Sequence, residues 1–128
     1  MPKPTRIGVT HPPEHAMVAS GRDITVAAEG ESSDAGAAGN IRTGVLVRVF
    51  YRVKGIPVAV TLYNGLVDHN PSGAGPGKKF KLKTTGENSP FRPDTKTHHS
   101  VRVIGWDHRQ KQNGANDIKQ KVIRFKVV

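Results

Sequence analysis

Apolar residues recur in this chain at every second position, and no window of a dozen residues keeps the three- and four-residue spacing of a helix face without meeting glycine or proline. The clearest case is Gly44 to Val53. Val45, Val47, Val49, Tyr51 and Val53 fall on one side of an extended segment, and Leu46, Arg48, Phe50 and Arg52 on the other. The 14 glycines and nine prolines cut the rest into short pieces. Short alternating runs between frequent turn signals predict an all-β sandwich or barrel and argue against helical bundles and parallel α/β folds.

Several segments carry the pattern. Arg6 to Val9 is a short strand that ends at His11-Pro12-Pro13, because proline cannot donate to a ladder. Ala16 to Val18 is a candidate resumption of that edge strand. Ile24, Val26 and Ala28 share one face after a turn at Gly21, and Glu29 to Asn40 (EGESSDAGAAGN) reads as a polar loop. Lys54-Gly55 is a tight turn that folds Ile56 to Tyr63 back on the Gly44–Val53 strand as a hairpin. Phe80 and Leu82 alternate with Lys79, Lys81 and Lys83, a cationic row of the kind that protects a sheet edge. Thr84 to Thr97 is a second long loop. Val101 to Trp106 and Ile118 to Val128 are the last strands, separated by a turn over Gln110 to Asn116. About seven antiparallel strands result, within a single domain spanning residues 1–128, a length that suits one core.

The chain has no cysteine, which excludes disulfide bracing and cysteine-based metal or nucleophile chemistry. No apolar run approaches the roughly 20 residues of a membrane-spanning helix, and MPKPTRIGVTHPPEHA lacks a stretch of signal-peptide length. The net charge is +10 and lies unevenly: residues 1–40 hold three cations and five anions, residues 41–128 hold 17 cations and five anions. Such a balance favours acidic or polyanionic neighbours, or serves solubility alone.

The pattern Val101-Arg102-Val103-Ile104-Gly105-Trp106-Asp107, then Asn113-Gly114, then Phe125-Lys126-Val127, resembles the tail of bacterial immunoglobulin-like and fibronectin-type-III-like domains. The run Val47 to Gly55 is similar to their central strand and hairpin, and Ser20-Gly21 leading into Ile24–Ala28 fits as well. The resemblance implies an immunoglobulin-like β-sandwich of about seven antiparallel strands. It also implies a non-catalytic binding or structural module in an extracellular or virion-associated setting. It brings no functional motif and no cofactor. The basic charge and the two long loops depart from the common pattern.

Other chemistries find little footing. Ser72 to Lys79 (SGAGPGKK) has Ser72 where a phosphate loop needs glycine, Lys79 where it needs a hydroxyl, and an alternating segment where it needs a helix. His98 and His99 are adjacent, so in a strand they point to opposite faces. The acid–imidazole pairs Asp68-His69 and Asp107-His108 offer no converging ligand set, so no metal is expected. No serine sits in a G-x-S-x-G turn, and carboxylates are scarce for glycoside chemistry, so no enzymatic activity is expected. Asp107, inward by parity at a strand's end, is suited to accepting loop N–H groups and pinning a turn.

The informative feature is the outward side of the sheet that the immunoglobulin-like resemblance implies for the strands at Val45, Val101 and Ile118. It gathers Leu46, Arg48, Phe50, Arg52, Arg102, Ile104, Trp106, Val122, Arg124 and Lys126. From these, Arg48, Phe50, Arg52, Arg102, Ile104, Trp106 and Arg124 are the expected binding residues. Arginine beside large apolar groups marks interfaces rather than solvent faces. A protein partner or self-association fits best. Nucleic acid or an anionic glycan is the alternative, and a face merely covered by the long loops is the third possibility.

Overall fold

The protein, described here from a computed structural model, is resolved into defined positions at residues 4–32, 42–68, 79–86, 91–107 and 118–128. Eight strands occur among the described residues: β1 Pro4–His11, β2 Ala16–Val18, β3 Val26–Ser32, β4 Arg42–Val53, β5 Ile56–Asp68, β6 Lys79–Thr84, β7 His98–Asp107 and β8 Ile118–Val127. They form two sheets, β1-β3-β6 and β2-β8-β7-β4-β5, antiparallel throughout except for β2 beside β8. Two sheets closing on one apolar core make an all-β sandwich.

The eighth strand arises because the first one is divided between the sheets. Pro12 and Pro13 end the β1 ladder, and the chain crosses to the far sheet, where Ala16, Met17 and Val18 pair with Phe125, Lys126 and Val127. The crossing is fastened to β8: His15 N donates to Arg124 O at 2.7 Å, Arg124 N donates to Glu14 Oε2 at 2.6 Å, and Val128 N donates to Val18 O at 2.9 Å.

The inward side chains are those the alternation marks. Val26, Ala28 and Phe80 from one sheet, with Ile24 just before it, meet Val45, Val47, Val49, Val101, Val103, Ile123, Phe125 and Val127 from the other. The Lys54-Gly55 turn has positive φ at both residues (50° and 80°), the left-handed pair a tight hairpin demands. Beyond it β5 continues past Tyr63 to Asp68. Val47 pairs with Tyr63 and Arg48 with Thr61, so Leu62 is an extra, bulged residue, and it is fully buried. Thr84 Oγ1 donates to Leu62 O at 2.9 Å, a buried hydrogen bond that ties β6 to the edge of the other sheet.

One expected loop is partly strand. Glu29 to Ser32 belongs to β3, between β1 and β6. Glutamate is a poor strand former in general, but here Glu29 and Glu31 meet Arg6 at 3.4 and 3.5 Å and stand opposite Lys81 and Lys79. Tertiary charge pairing overrides local propensity. Residues 33–40, the Gln110–Asn116 turn, most of Ser72–Lys79, His69, His108 and the side chain of Asp107 lie outside the described residues.

Phe80 is 2 % exposed at the centre of this core. Phe80→Ala is expected to destabilise the protein by about 3–5 kcal/mol in urea titration. A loss under about 1 kcal/mol would mean that the sheets are not packed through this ring.

Candidate functional site

The outward face of the five-stranded sheet follows from the inward register. With Val103 opposite Val47 and Val101 opposite Val49, the rows of the other face are set. At one end Ile118, Trp106, Gly44 and Leu66 stand in line across β8, β7, β4 and β5; then Gln120, Ile104, Leu46 and Asn64; then Val122, Arg102, Arg48 and Thr61; then Arg124, Ser100, Phe50 and Ala59. The expected residues Arg48, Phe50, Arg52, Arg102, Ile104, Trp106 and Arg124 therefore do share one face.

They are not equally available. Arg48, Arg52, Arg102 and Arg124 are exposed, and Phe50 and Ile104 are half-buried. Trp106 is 6 % exposed and Leu46 1 %. The expectation that Trp106 is a free docking anchor is corrected by this burial. Its indole lies across Gly44, so close that a Cβ on Gly44 would collide with the ring. The absent side chain at Gly44 is what lets the ring drop onto the strand.

The cationic half has a particular geometry. Arg48 stands directly opposite Arg102, and neither meets a carboxylate among the described residues. Like charges directly opposite are unfavourable. The Arg102 guanidinium sits 5.0 Å from the centre of the Phe50 ring, a cation–π contact. The strands of this sheet carry only two acids, Asp68 and Asp107, both at strand ends far from this pair. The acids with described side chains are engaged elsewhere: Asp23 with Arg92, Glu29 and Glu31 with Arg6, Glu14 with the Arg124 backbone, and Asp94 with the Thr95 hydroxyl.

Beyond Phe50 and Ser100 the β4–β7 ladder stops, while β4–β5 runs on to Val53–Ile56 and β7–β8 to His98–Lys126. The sheet forks, and a groove of about 540 Å³ opens there. Sequence reasoning found Phe50, Arg52 and Arg124 of its lining but missed Tyr51, Pro57, Ala59 and Ser100, because nothing in an alternation pattern says where a ladder ends. His98 and His99 do take opposite faces, the first exposed and the second 2 % exposed. The His99 ring stacks on Tyr51 at 4.4 Å and lies 5.2 Å from Phe125. Its Nδ1–H donates to Thr97 O at 3.0 Å, which leaves Nε2 buried with no partner. Burial lowers the pKa of His99 from the ordinary 6.5, only partly opposed by the Thr97 bond.

No protein-family model matches the chain, and no curated protein matches it in sequence. Solved structures resemble it in fold. The CARDB domain of the Pyrococcus furiosus protein PF1109, solved in complex with di-metal ions, is 12 % identical with a TM-score of 0.52, over 98 % of this chain and 96 % of that one. The Pseudomonas fluorescens alkylpurine DNA glycosylase AlkC, bound to DNA containing an abasic site analogue, is 15 % identical with a TM-score of 0.50, over 99 % of this chain but 30 % of that one. The Listeria innocua β-glucosidase in complex with isofagomine is 10 % identical with a TM-score of 0.50, over 96 % and 17 %. At these identities the likeness is one of fold. Among the described residues no three His, Cys, Asp or Glu side chains converge as metal ligands.

Two outcomes follow from the geometry. Trp106 is the sole tryptophan, so Gly44→Ala is expected to shift its emission to the red as the ring is displaced, while unchanged emission would show that the ring does not rest on that strand. Because folding disfavours the charged form of His99, the unfolded chain takes up its proton first as pH falls. Stability should be full above pH 6.5, decline below it, and decline less in His99→Phe; parallel profiles for the two proteins in urea titrations would contradict this.

Proposed function

We propose that the protein is a non-catalytic docking module that binds an acidic protein partner through the cationic half of the five-stranded sheet. Arg48, Arg52, Arg102 and Arg124 supply the charge, Phe50 the apolar anchor, and Ile104 the margin. The observation that carries the reading is the Arg48–Arg102 pair. Two arginines in register on neighbouring strands, neither meeting a carboxylate among the described residues, are poorly placed for stability and well placed for a partner's carboxylates, which a guanidinium can grip in bidentate fashion. Self-association through the same patch would set arginine against arginine across a two-fold axis, so an acidic partner is preferred over a second copy. The resemblance to bacterial immunoglobulin-like and fibronectin-type-III-like domains supports a setting on a bacterial surface or a phage particle.

A second reading is direct binding of a polyanion, nucleic acid or anionic polysaccharide, favoured by the same scarcity of acids on the sheet. The two differ in salt dependence and anchor. Affinity for duplex DNA falls with nearly one power of salt per neutralised phosphate. A contact that buries Phe50 keeps a salt-insensitive part.

Arg48→Glu provides the test. It should stabilise the free protein by about 0.2–1 kcal/mol, because a glutamate then faces Arg102. It should also weaken binding to poly-glutamate, followed by light scattering at low and high salt beside a mixed DNA duplex. Unchanged stability together with unchanged binding would sink the docking reading. Tight binding to the duplex alone, abolished by salt, would favour the polyanion.

A further inference from the structure

The forked end of the sheet is more specific than a charged surface. One arm, β4–β5, supplies Phe50, Tyr51, Arg52, Pro57 and Ala59; the other, β7–β8, supplies His98, His99, Ser100 and Arg124. The Tyr51–His99 stack spans the gap where the ladder has ended, and among the described residues no acid lines the groove. Its volume, about 540 Å³, lies in the range of recesses that enclose a ligand group. Its walls are apolar and its rim is cationic. Arg52 is steadied by donating from Nη1 to Gly55 O at 3.1 Å. Glu14 accepts from the Arg124 backbone N–H, and the Arg124 guanidinium meets no carboxylate among the described residues.

We infer that this fork receives one large apolar side chain of an extended acidic peptide segment, with flanking carboxylates held by Arg52 and Arg124. The inference rests on the docking reading above and narrows it from a charged face to an anchor site. A phosphate backbone would use the rim but leave the apolar walls unfilled, and a neutral apolar ligand would leave the two guanidiniums unused. A peptide that alternates side chains about an anchor satisfies both.

The probe is the blocked peptide Glu-Asp-Phe-Asp-Glu, set beside Glu-Asp-Gly-Asp-Glu and single-stranded oligothymidylate, followed by ¹⁵N NMR titration of the whole chain. The phenylalanine peptide should bind on the order of tenfold tighter than the glycine peptide, with shifts centred on Phe50–Arg52 and His98–Ser100. Ala59→Phe, at an exposed edge position, should fill the groove and erase that preference. Arg52→Gln, also exposed, should weaken both peptides and is the second variant. Equal affinity for the two peptides, with both weakened by Arg48→Glu, would overturn the anchor site and leave the docking face standing. Indifference to both peptides in the parent protein and in Arg48→Glu would overturn both. Oligothymidylate that competes into the groove and binds tighter than the phenylalanine peptide would also overturn the inference, in favour of a stacked base.

Discussion

The structure depends on the register of β4 against β7. Val47 meets Val103 and Val49 meets Val101 on the inner side, all fully buried. Each such valine is worth roughly 1.5–3 kcal/mol by burial. A slip of one residue would turn all of them to solvent, so the register has no near competitor. The same register forces Arg48 to face Arg102. That repulsion costs at most about 1 kcal/mol in a surface pair and is eased by the Phe50 ring. Core burial outweighs it several-fold. The outer face is thus a consequence of the inner one, and its charge arrangement is tolerated rather than selected by folding.

The second constraint is the divided first strand. Once Pro12 and Pro13 close the β1 ladder, β2 can cover the β8 edge, and its parallel pairing is held by backbone bonds on both sides of it and by the Glu14 carboxylate. With β2 on one edge and Thr84 reaching across to Leu62 near the other, the five-stranded sheet is anchored at both sides. It opens where β4 and β7 part. The groove is therefore a defect of pairing with a structural cause, and Tyr51 and His99 fill what hydrogen bonds no longer hold together. The stack comes with a buried, unpartnered Nε2, a cost a core usually avoids.

Particular residues show how far the chain could be read in advance. The Lys54-Gly55 hairpin, the inward sets Val45–Val47–Val49 and Val101–Val103, and the opposite orientations of His98 and His99 follow from period-two alternation and turn chemistry, whereas the adjacency of β4, β7 and β8 is implied only by the resemblance to immunoglobulin-like domains. Glu29–Ser32 was not legible as strand, because its reason for pairing lies in Arg6 and the β6 lysines, distant in sequence. Trp106 had the right face and the wrong exposure, since parity says which way a side chain leaves the strand and nothing about a glycine on the next strand that lets it lie flat. Leu62 and the continuation of β5 depend on a bulge, which breaks the parity that sequence reasoning relies on.

By itself the sequence determined an all-β sandwich without disulfides, the side on which each strand hides its apolar residues, and a cationic outer face. Those are local properties: alternation, turn residues and charge are written residue by residue. The tertiary structure alone settles the division of the first strand between two sheets, the burial of Trp106 over Gly44, the Arg48–Arg102 pair that meets no carboxylate among the described residues, and the fork beyond Phe50. Each of these turns on which strands become neighbours and where their ladder ends. Both are set by the balance of core burial against backbone pairing summed over the whole molecule, a balance that no single segment contains.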